Sequence, residues 1–404
     1  KRALSLALAA IMLVGMMVVS ASAASYNDLT DKDQIVNKDA VSMLVSLGII
    51  EGKPDGSYGP TENVDRAQMA KMLSVIMNKG VDNSALYQSV NSGLVDVNTN
   101  WAKGHINYCY TTGIIAGRGN GTFDPSATVT ALEAAKMLLV AVGYDPAIEG
   151  FEGADWAINV SVRADEQGIF EGFTKDLSAP LNRDDAALLI YNALDVEMIQ
   201  SYTTNNYPIV YSDHRTILSD KYGVIKVEGV VTANEWAILD DDTDTALQEG
   251  KTRIYNPDGI LSTTGNTAVA QDSSANVKTQ VFNVSTPVDM LGKAVTMYVK
   301  KTTILADSTV YGAPVVSDVN TVIETGEKVT GGDSKDDDSL AALLKGTGLA
   351  TDKATEYYHN YEEVAIDSAD VDDIMNVKGA ALTVIDNDND GKTEAVVQTC
   401  YYFG

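Results

Sequence analysis

The sequence predicts a multidomain α+β protein, with a helical first part built from three tandem repeats and a β-rich region after it. Three observations lead there. A unit of about fifty residues recurs three times between residues 25 and 200, and each copy carries Gly-Ile, a second Gly four residues on, and Pro twelve residues after the first Gly. A helical pattern with a capping signature follows each Pro. From about residue 201 the helical period fades, and Thr, Val, Asp and Gly take over.

In chain order, residues 1–23 read as an export signal. Lys1 and Arg2 form a positive start, Ala3 to Val19 an apolar core, and Ala21-Ser22-Ala23 a small-residue cleavage site. The chain starts at Lys1 rather than Met, so the first residue or residues of the gene are expected to be missing. No second long apolar run follows, so the exported chain is expected to be soluble, without a membrane partner once the signal is removed. It then needs another way to stay on a cell.

The formal charge is −27, and loss of Lys1 and Arg2 makes it more negative. Nucleic acids and anionic membrane surfaces require a cationic footprint, so both are excluded as expected partners. With 45% apolar residues the chain can bury ordinary cores. Two cysteines, Cys109 and Cys400, do not make a disulfide scaffold; Cys109 sits in a helical pattern and reads as a small buried apolar residue. His105, His214 and His359 are too far apart for a histidine metal motif.

The three copies are placed at residues 25–80, 91–145 and 151–200. Each opens with a helical stretch that ends at Gly48, Gly113 or Gly168, where a helix C-terminus commonly needs a left-handed residue. The second glycines, Gly52, Gly117 and Gly172, introduce a turn, marked strongly by Pro54-Asp55-Gly56 and Asn120-Gly121 and less so in copy three. The second helix opens with Asp65 and Gln68, Thr130 and Glu133, or Asn182 and Asp185; the Asp at N3 of copy three is a shorter, poorer capping partner. Apolar positions three and four apart then form one buried stripe, such as Met69, Leu73 and Ile76.

The first helical position after each cap is Arg66, Ala131 or Arg183. A helix N-terminus is already electropositive, so a cation there costs about 0.3–1 kcal/mol unless it serves to bind an anion. Two readings stand at this point. Arg66 and Arg183 pair with nearby acids while Trp101 and Trp156 are plain core, or each Arg beside a Trp forms a seat for an acidic sugar.

The combined motifs resemble the S-layer homology module. Copy two offers Asp96, Trp101-Ala102, Gly113-Ile114-Ile115-Ala116-Gly117, Gly121-Thr122-Phe123-Asp124-Pro125 and Thr130-Ala131-Leu132-Glu133. Copy one offers Tyr26-Asn27-Asp28, Gly48 to Gly52, Asp55 to Tyr58 and Asp65-Arg66-Ala67-Gln68; copy three offers Asp155-Trp156-Ala157, Gly168 to Gly172 and Asn182-Arg183-Asp184-Asp185. The resemblance covers residues 25–200 and implies a pseudo-threefold helical spindle. It implies non-covalent binding to an anionic secondary polysaccharide of a bacterial cell wall, often pyruvylated on N-acetylmannosamine. The binding set it implies is Arg66, Trp101, Arg183, Trp156, Gly52 and Gly117. In that reading the grooves pair Arg66 with Trp101, Ala131 with Trp156, and Arg183 with Val36, giving one complete groove and two weakened ones.

In the second half, Val224 to Val231 and Val295 to Leu305 read as strands within a β-rich module at 201–325. Residues 326–354 read as an acidic flexible segment and 355–404 as a partial β-rich module, whose abrupt end suggests a truncated chain. Asp386, Asp388, Asp390 and Glu394 place oxygen ligands at calcium-loop spacing before and after Gly391, but position twelve is Val397 and the flanks are strand-like. A weak calcium-binding hairpin and a solvated acidic turn are both open; no cofactor is otherwise required.

No G-x-S-x-G elbow, P-loop or H-E-x-x-H motif is present in the sequence, and a non-enzyme is expected. The leading expectation is an extracellular, wall-anchored protein with an outward structural, surface-layer-like half that can self-associate. A surface enzyme acting on wall or other polysaccharide, with its catalytic part in or beyond the second half, and an adhesin are the alternatives.

Overall fold

The computed structural model describes residues 26–239, 246–259, 277–300, 308–324, 340–364 and 380–400. The export signal, Gly331 to Asp338 and the acidic run Asp240 to Asp244 lie outside the described residues. The chain divides into two compact units between Ile209 and Val210.

The first unit holds α1 (Lys38–Ser46), α2 (Arg66–Met77), α3 (Lys103–Thr111), α4 (Ala131–Val142), α5 (Trp156–Glu166) and α6 (Arg183–Leu194), then the hairpin strands β1 (Ile199–Tyr202) and β2 (Pro208–Val210). The Gly-Ile pairs end α1, α3 and α5 in one way. Gly48, Gly113 and Gly168 have φ of 69°, 79° and 69°, and the amides of Ile49, Ile114 and Ile169 return to Leu44, Cys109 and Ala164 carbonyls at 2.9, 2.9 and 2.8 Å. This is the Schellman closure, in which Gly tolerates the left-handed turn and the following Ile is buried.

The capping boxes form as the sequence predicts. Asp65 with Gln68 and Thr130 with Glu133 exchange both hydrogen bonds. Asn182 accepts from Asp185, whose short carboxylate bonds Lys175 Nζ instead of returning to the cap.

The main helix–helix packing runs between copies. Each second helix packs on the first helix of the next copy: α2 on α3, α4 on α5, and α6 back on α1. The segments before the second helices join the same circuit. Val64 N donates to Leu181 O (2.8 Å), Leu181 N to Val129 O (2.7 Å) and Val129 N to Val64 O (2.9 Å), a closed ring of backbone bonds. Asp184 tightens the return by accepting from the amides of Val36 and Asn37 at the start of α1.

The second unit contains two five-stranded sheets. One has the order β5-β4-β3-β6-β7 and is antiparallel: β3 (Val224–Ala233), β4 (Thr252–Tyr255), β5 (Thr279–Phe282), β6 (Ala294–Lys300) and β7 (Val310–Val316). The other has the order β10-β9-β12-β11-β8: β8 (Thr321–Glu324), β9 (Glu356–His359), β10 (Glu362–Glu363), β11 (Ala380–Asp386) and β12 (Ala395–Cys400), with β9 and β12 parallel. Period-two alternation gives the second sheet two buried faces. Tyr358, Ile385 and Val397 join Val227, Phe282 and Val299 of the first sheet. Tyr357, Leu382 and Val396 instead meet the short helix α7 (Leu340–Leu344).

Two sequence boundaries are corrected here. Residues 201–325 and 355–404 are not separate modules, because Thr383 pairs with Glu324 across β8 and β11 and both sheets share one core. Of the acidic segment expected at 326–354, the described residues 340–354 open with α7, whose apolar run buries Leu340 and Leu344 against β11 and β12.

Candidate anion-binding pockets

Two pockets open on the helical unit, each assembled from all three copies. In the first, a cavity of about 500 Å³, α2 supplies Arg66, the copy-two turn and α4 supply Gly117, Arg118, Glu133 and Lys136, and copy three supplies Trp156. Arg66 is 4% exposed. Its Nε donates to Phe123 O at 2.8 Å, its Nη2 to Ala116 O at 3.2 Å, and its guanidinium lies 4.4 Å from the Phe123 ring centroid. Burial, then the neighbouring Arg118 charge, pushes Arg66 down to about 10, against the pull of Glu133. Glu133 Oε1 lies 2.7 Å from Arg118 Nη1 and 3.6 Å from Arg66 Nη1. Lys136 Nζ donates to Phe151 O at 2.5 Å and stands 5.6 Å from the Trp156 ring centroid; burial lowers its pKa.

The second pocket, about 220 Å³, joins Arg183 of α6, Gly52, Lys53, Gln68 and Lys71 of copy one, and Trp101 of copy two. Arg183 is less engaged than Arg66. Its Nη2 reaches Glu51 O at 3.4 Å, its guanidinium lies 4.7 Å from the Tyr58 centroid, and its buried Nε has no hydrogen-bond partner. Tyr58, whose OH donates to Arg183 O at 2.7 Å, carries a hydroxyl pKa raised by burial. Trp101 is 59% exposed and meets His105 edge-on at 6.3 Å. His105 is buried, hydrogen-bonded to Ser74 Oγ at 2.6 Å, and shifted below 6.5 by that burial, with Asp82 opposing.

These pairings correct the sequence reading. Arg66 shares its pocket with Trp156 rather than Trp101, and Arg183 shares its own with Trp101 rather than Val36. The cause is the circular packing: an N1 residue seats in the turn of the next copy, and the aromatic comes from the copy after that. At the third place Leu132 N donates to Leu177 O at 3.1 Å, as Ala67 N does to Pro125 O and Asp184 N to Pro60 O at the other two, but the first helical residue there is Ala131, and Val36 is left 82% exposed.

The turns that carry Gly52 and Gly117 are fixed from below by carboxylates. Asp96 accepts from Phe123 N (2.9 Å) and Asp124 N (2.7 Å), and Asp31 accepts from Tyr58 N (2.7 Å) and Gly59 N (2.8 Å). Asp31, not Asp28, is therefore the copy-one counterpart of Asp96. Gly117 is required by close approach: a Cβ there would lie 2.8 Å from Thr122 O and 3.0 Å from Leu94 Cδ2. Sequence reasoning missed Lys53, Lys71, Arg118 and Lys136. The signal for the two helix lysines was their shared position six residues after the N-cap.

In the second unit, Asp386, Asp388, Asp390 and Glu394 offer ligand atoms that all lie within 4.8 Å of one another at the β11–β12 turn. Asp386 Oδ1 already accepts from Asn389 N at 2.7 Å and Oδ2 from Gly391 N at 3.1 Å, and Lys392 Nζ lies 3.2 Å from Asp390. Burial raises the Glu394 pKa; the Asn387 amide opposes this, and the three Asp charges add to the rise.

A family model described as S-layer homology domain matches residues 25–70 and 95–135. The chain is 26% identical over 380 residues to a cell surface protein of Thermoanaerobacter kivui, covering 94% of this chain and 43% of that protein. It is 33% identical over 113 residues to an S-layer protein of Bacillus licheniformis, covering 28% of this chain and 12% of that protein. It is 30% identical over 186 residues to an amylopullulanase of Thermoanaerobacterium thermosulfurigenes, covering 42% of this chain and 10% of that protein. The chain thus spans less than half the length of these relatives. It is a cell-surface protein carrying S-layer homology domains, located outside the cell at the wall or surface layer.

Proposed function

We propose that the helical unit is a pseudo-threefold spindle of three S-layer homology modules, at residues 25–80, 91–145 and 151–200, and that it anchors the exported chain non-covalently to the wall. Its ligand is an anionic, pyruvylated secondary wall polysaccharide. The observation that carries this reading is electrostatic. In a chain of formal charge −27, each pocket is lined by three cations and a Trp, against Glu133 and Glu152 in one and Glu51, with Glu62 on Lys53, in the other. A carboxylate-bearing sugar would place its acid on the guanidinium and its ring on the indole. The circular helix packing and the Val64–Leu181–Val129 ring support the spindle.

The β-rich unit is then the outward, structural part, with self-association in a surface layer as its role and no enzymatic activity of its own. Relatives named for polysaccharide-degrading activities keep a wall-anchored enzyme as the second reading. At the β11–β12 turn we propose no more than a weak calcium contact; an unchanged melting temperature between chelator and millimolar calcium would reduce it to a solvated turn. The anchoring test is co-sedimentation of the full chain with purified walls before and after stripping their secondary polysaccharide. Loss of binding on stripping is expected, and retention would remove the proposal.

A further inference from the structure

The two pockets share a component that comes from a third place in the repeat. Six positions after the N-cap, the second helix carries Lys71 in copy one, Lys136 in copy two and Leu188 in copy three. Positions N3 and N6 lie on one helix face, which sets Lys71 beside Gln68 and Lys136 beside Glu133 on the pocket walls. Acids already engage three of the other cations there: Glu133 holds Arg118 and Arg66, and Glu62 holds Lys53, while Arg183 meets the Glu51 carbonyl and the Tyr58 ring. Among the described residues, neither Lys71 nor Lys136 forms an ion pair; Asp82 and Glu152 act on them from further off. Lys136 instead faces the Trp156 ring.

Each pocket draws its three recognition groups from three different copies. The first takes Arg66 from copy one, Lys136 from copy two and Trp156 from copy three. The second takes Arg183 from copy three, Lys71 from copy one and Trp101 from copy two. In the same order the remaining place takes Ala131 from copy two, Leu188 from copy three and Val36 from copy one. Three replacements, far apart in the chain, therefore fall at one place and leave the other two intact.

We infer that Lys71 and Lys136 are ligand-binding residues, that Arg, Lys and Trp act as one three-copy unit, and that the third place has lost binding as a unit, so that one chain takes two anionic sugar units rather than three. This inference rests on the anionic-saccharide reading above. The acid group of each sugar sits between guanidinium and ammonium, and its ring lies on the indole.

The test is calorimetric titration of the full chain with the methyl glycoside of N-acetylmannosamine pyruvate ketal. Two equivalents are expected. Lys71→Met should weaken one of them by about ten- to hundredfold and Lys136→Met the other, while Lys71→Arg and Lys136→Arg retain both. The triple substitution Val36→Trp, Ala131→Arg, Leu188→Lys should restore a third equivalent, with circular-dichroism melting confirming that each chain is folded. No binding by the unsubstituted chain overturns the saccharide reading itself. Binding that is unchanged in both methionine variants, or three equivalents in the unsubstituted chain, overturns this inference alone. Equal loss in the Lys→Arg and Lys→Met variants would mark the lysines as structural and overturn it too.

Discussion

Replacing Arg66 and Arg183 separately by Ala divides the structural use of an N1 guanidinium from its binding use. Arg66 makes two hydrogen bonds to backbone carbonyls, a buried one to Phe123 at 2.8 Å and a partly buried one to Ala116 at 3.2 Å. At about 1.5–3 kcal/mol each for a charged donor, they contribute about 3–6 kcal/mol. The contact with Phe123 at 4.4 Å adds about 1 kcal/mol. Against this stands the burial that lowers Arg66 from 12.5 to about 10, an opposing cost of about 3 kcal/mol. Arg66→Ala should therefore destabilise the helical unit by about 1–4 kcal/mol. Arg183 has a single long contact at 3.4 Å and a stacking contact at 4.7 Å, so Arg183→Ala should cost about 1 kcal/mol or less. Urea unfolding followed by helical ellipticity reads both, and wall co-sedimentation reads binding. Both variants should lose a pocket, but only Arg66→Ala should lose marked stability. Equal destabilisation by the two would refute the assignment of Arg183 as the less engaged guanidinium.

Other outcomes follow from the same geometry. Gly117→Ala, which drives a Cβ to 2.8 Å from Thr122 O, should cost about 1–3 kcal/mol through overpacking and weaken the Trp156 pocket; an unchanged urea midpoint would contradict the tight turn. Leu340→Ala should destabilise the β-rich unit by about 2–5 kcal/mol, since Leu340 is 2% exposed; a neutral effect would detach α7 from the core. Burial pushes the Asp31 and Asp96 carboxyls up, but the backbone amides they accept outweigh it and hold both below 3.8. A carboxyl depressed by folding contributes stability above its unfolded value and loses it as pH falls through the folded value. The urea midpoint of the helical unit should fall on acidification below about pH 4, and the Asp31→Asn, Asp96→Asn double variant should show a flatter dependence; identical pH profiles would count against it.

The local parts of the helical unit were legible because each is encoded within a few residues. Gly48, Gly113 and Gly168 announce left-handed closures, and Asp65, Thr130 and Asn182 announce caps. Copy three was even legible as the weaker box, from the length of Asp185. The partnering of Arg66 with Trp156 was not, because it depends on the circular order in which the copies pack, and equivalence between copies carries no information about that order. In the β-rich unit, β3 and β6 showed as β-branched runs. The pairing of Thr383 with Glu324 joins strands far apart in the chain, and no local pattern specifies such a partner. Leu340 and Leu344 were obscured by the acidic run before them, although their own spacing is that of a helix face.

The ring through Val64, Leu181 and Val129 has a consequence for how the anchor can fail or evolve. In an open solenoid each repeat touches only its neighbours, so ends fray and copies can be added or dropped. Here, deleting any one copy severs two of the ring's three backbone bonds at once. Melting is then expected as a single cooperative event, and three becomes a fixed count. Diversification has to proceed by changing what each pocket holds while the number of copies stays the same.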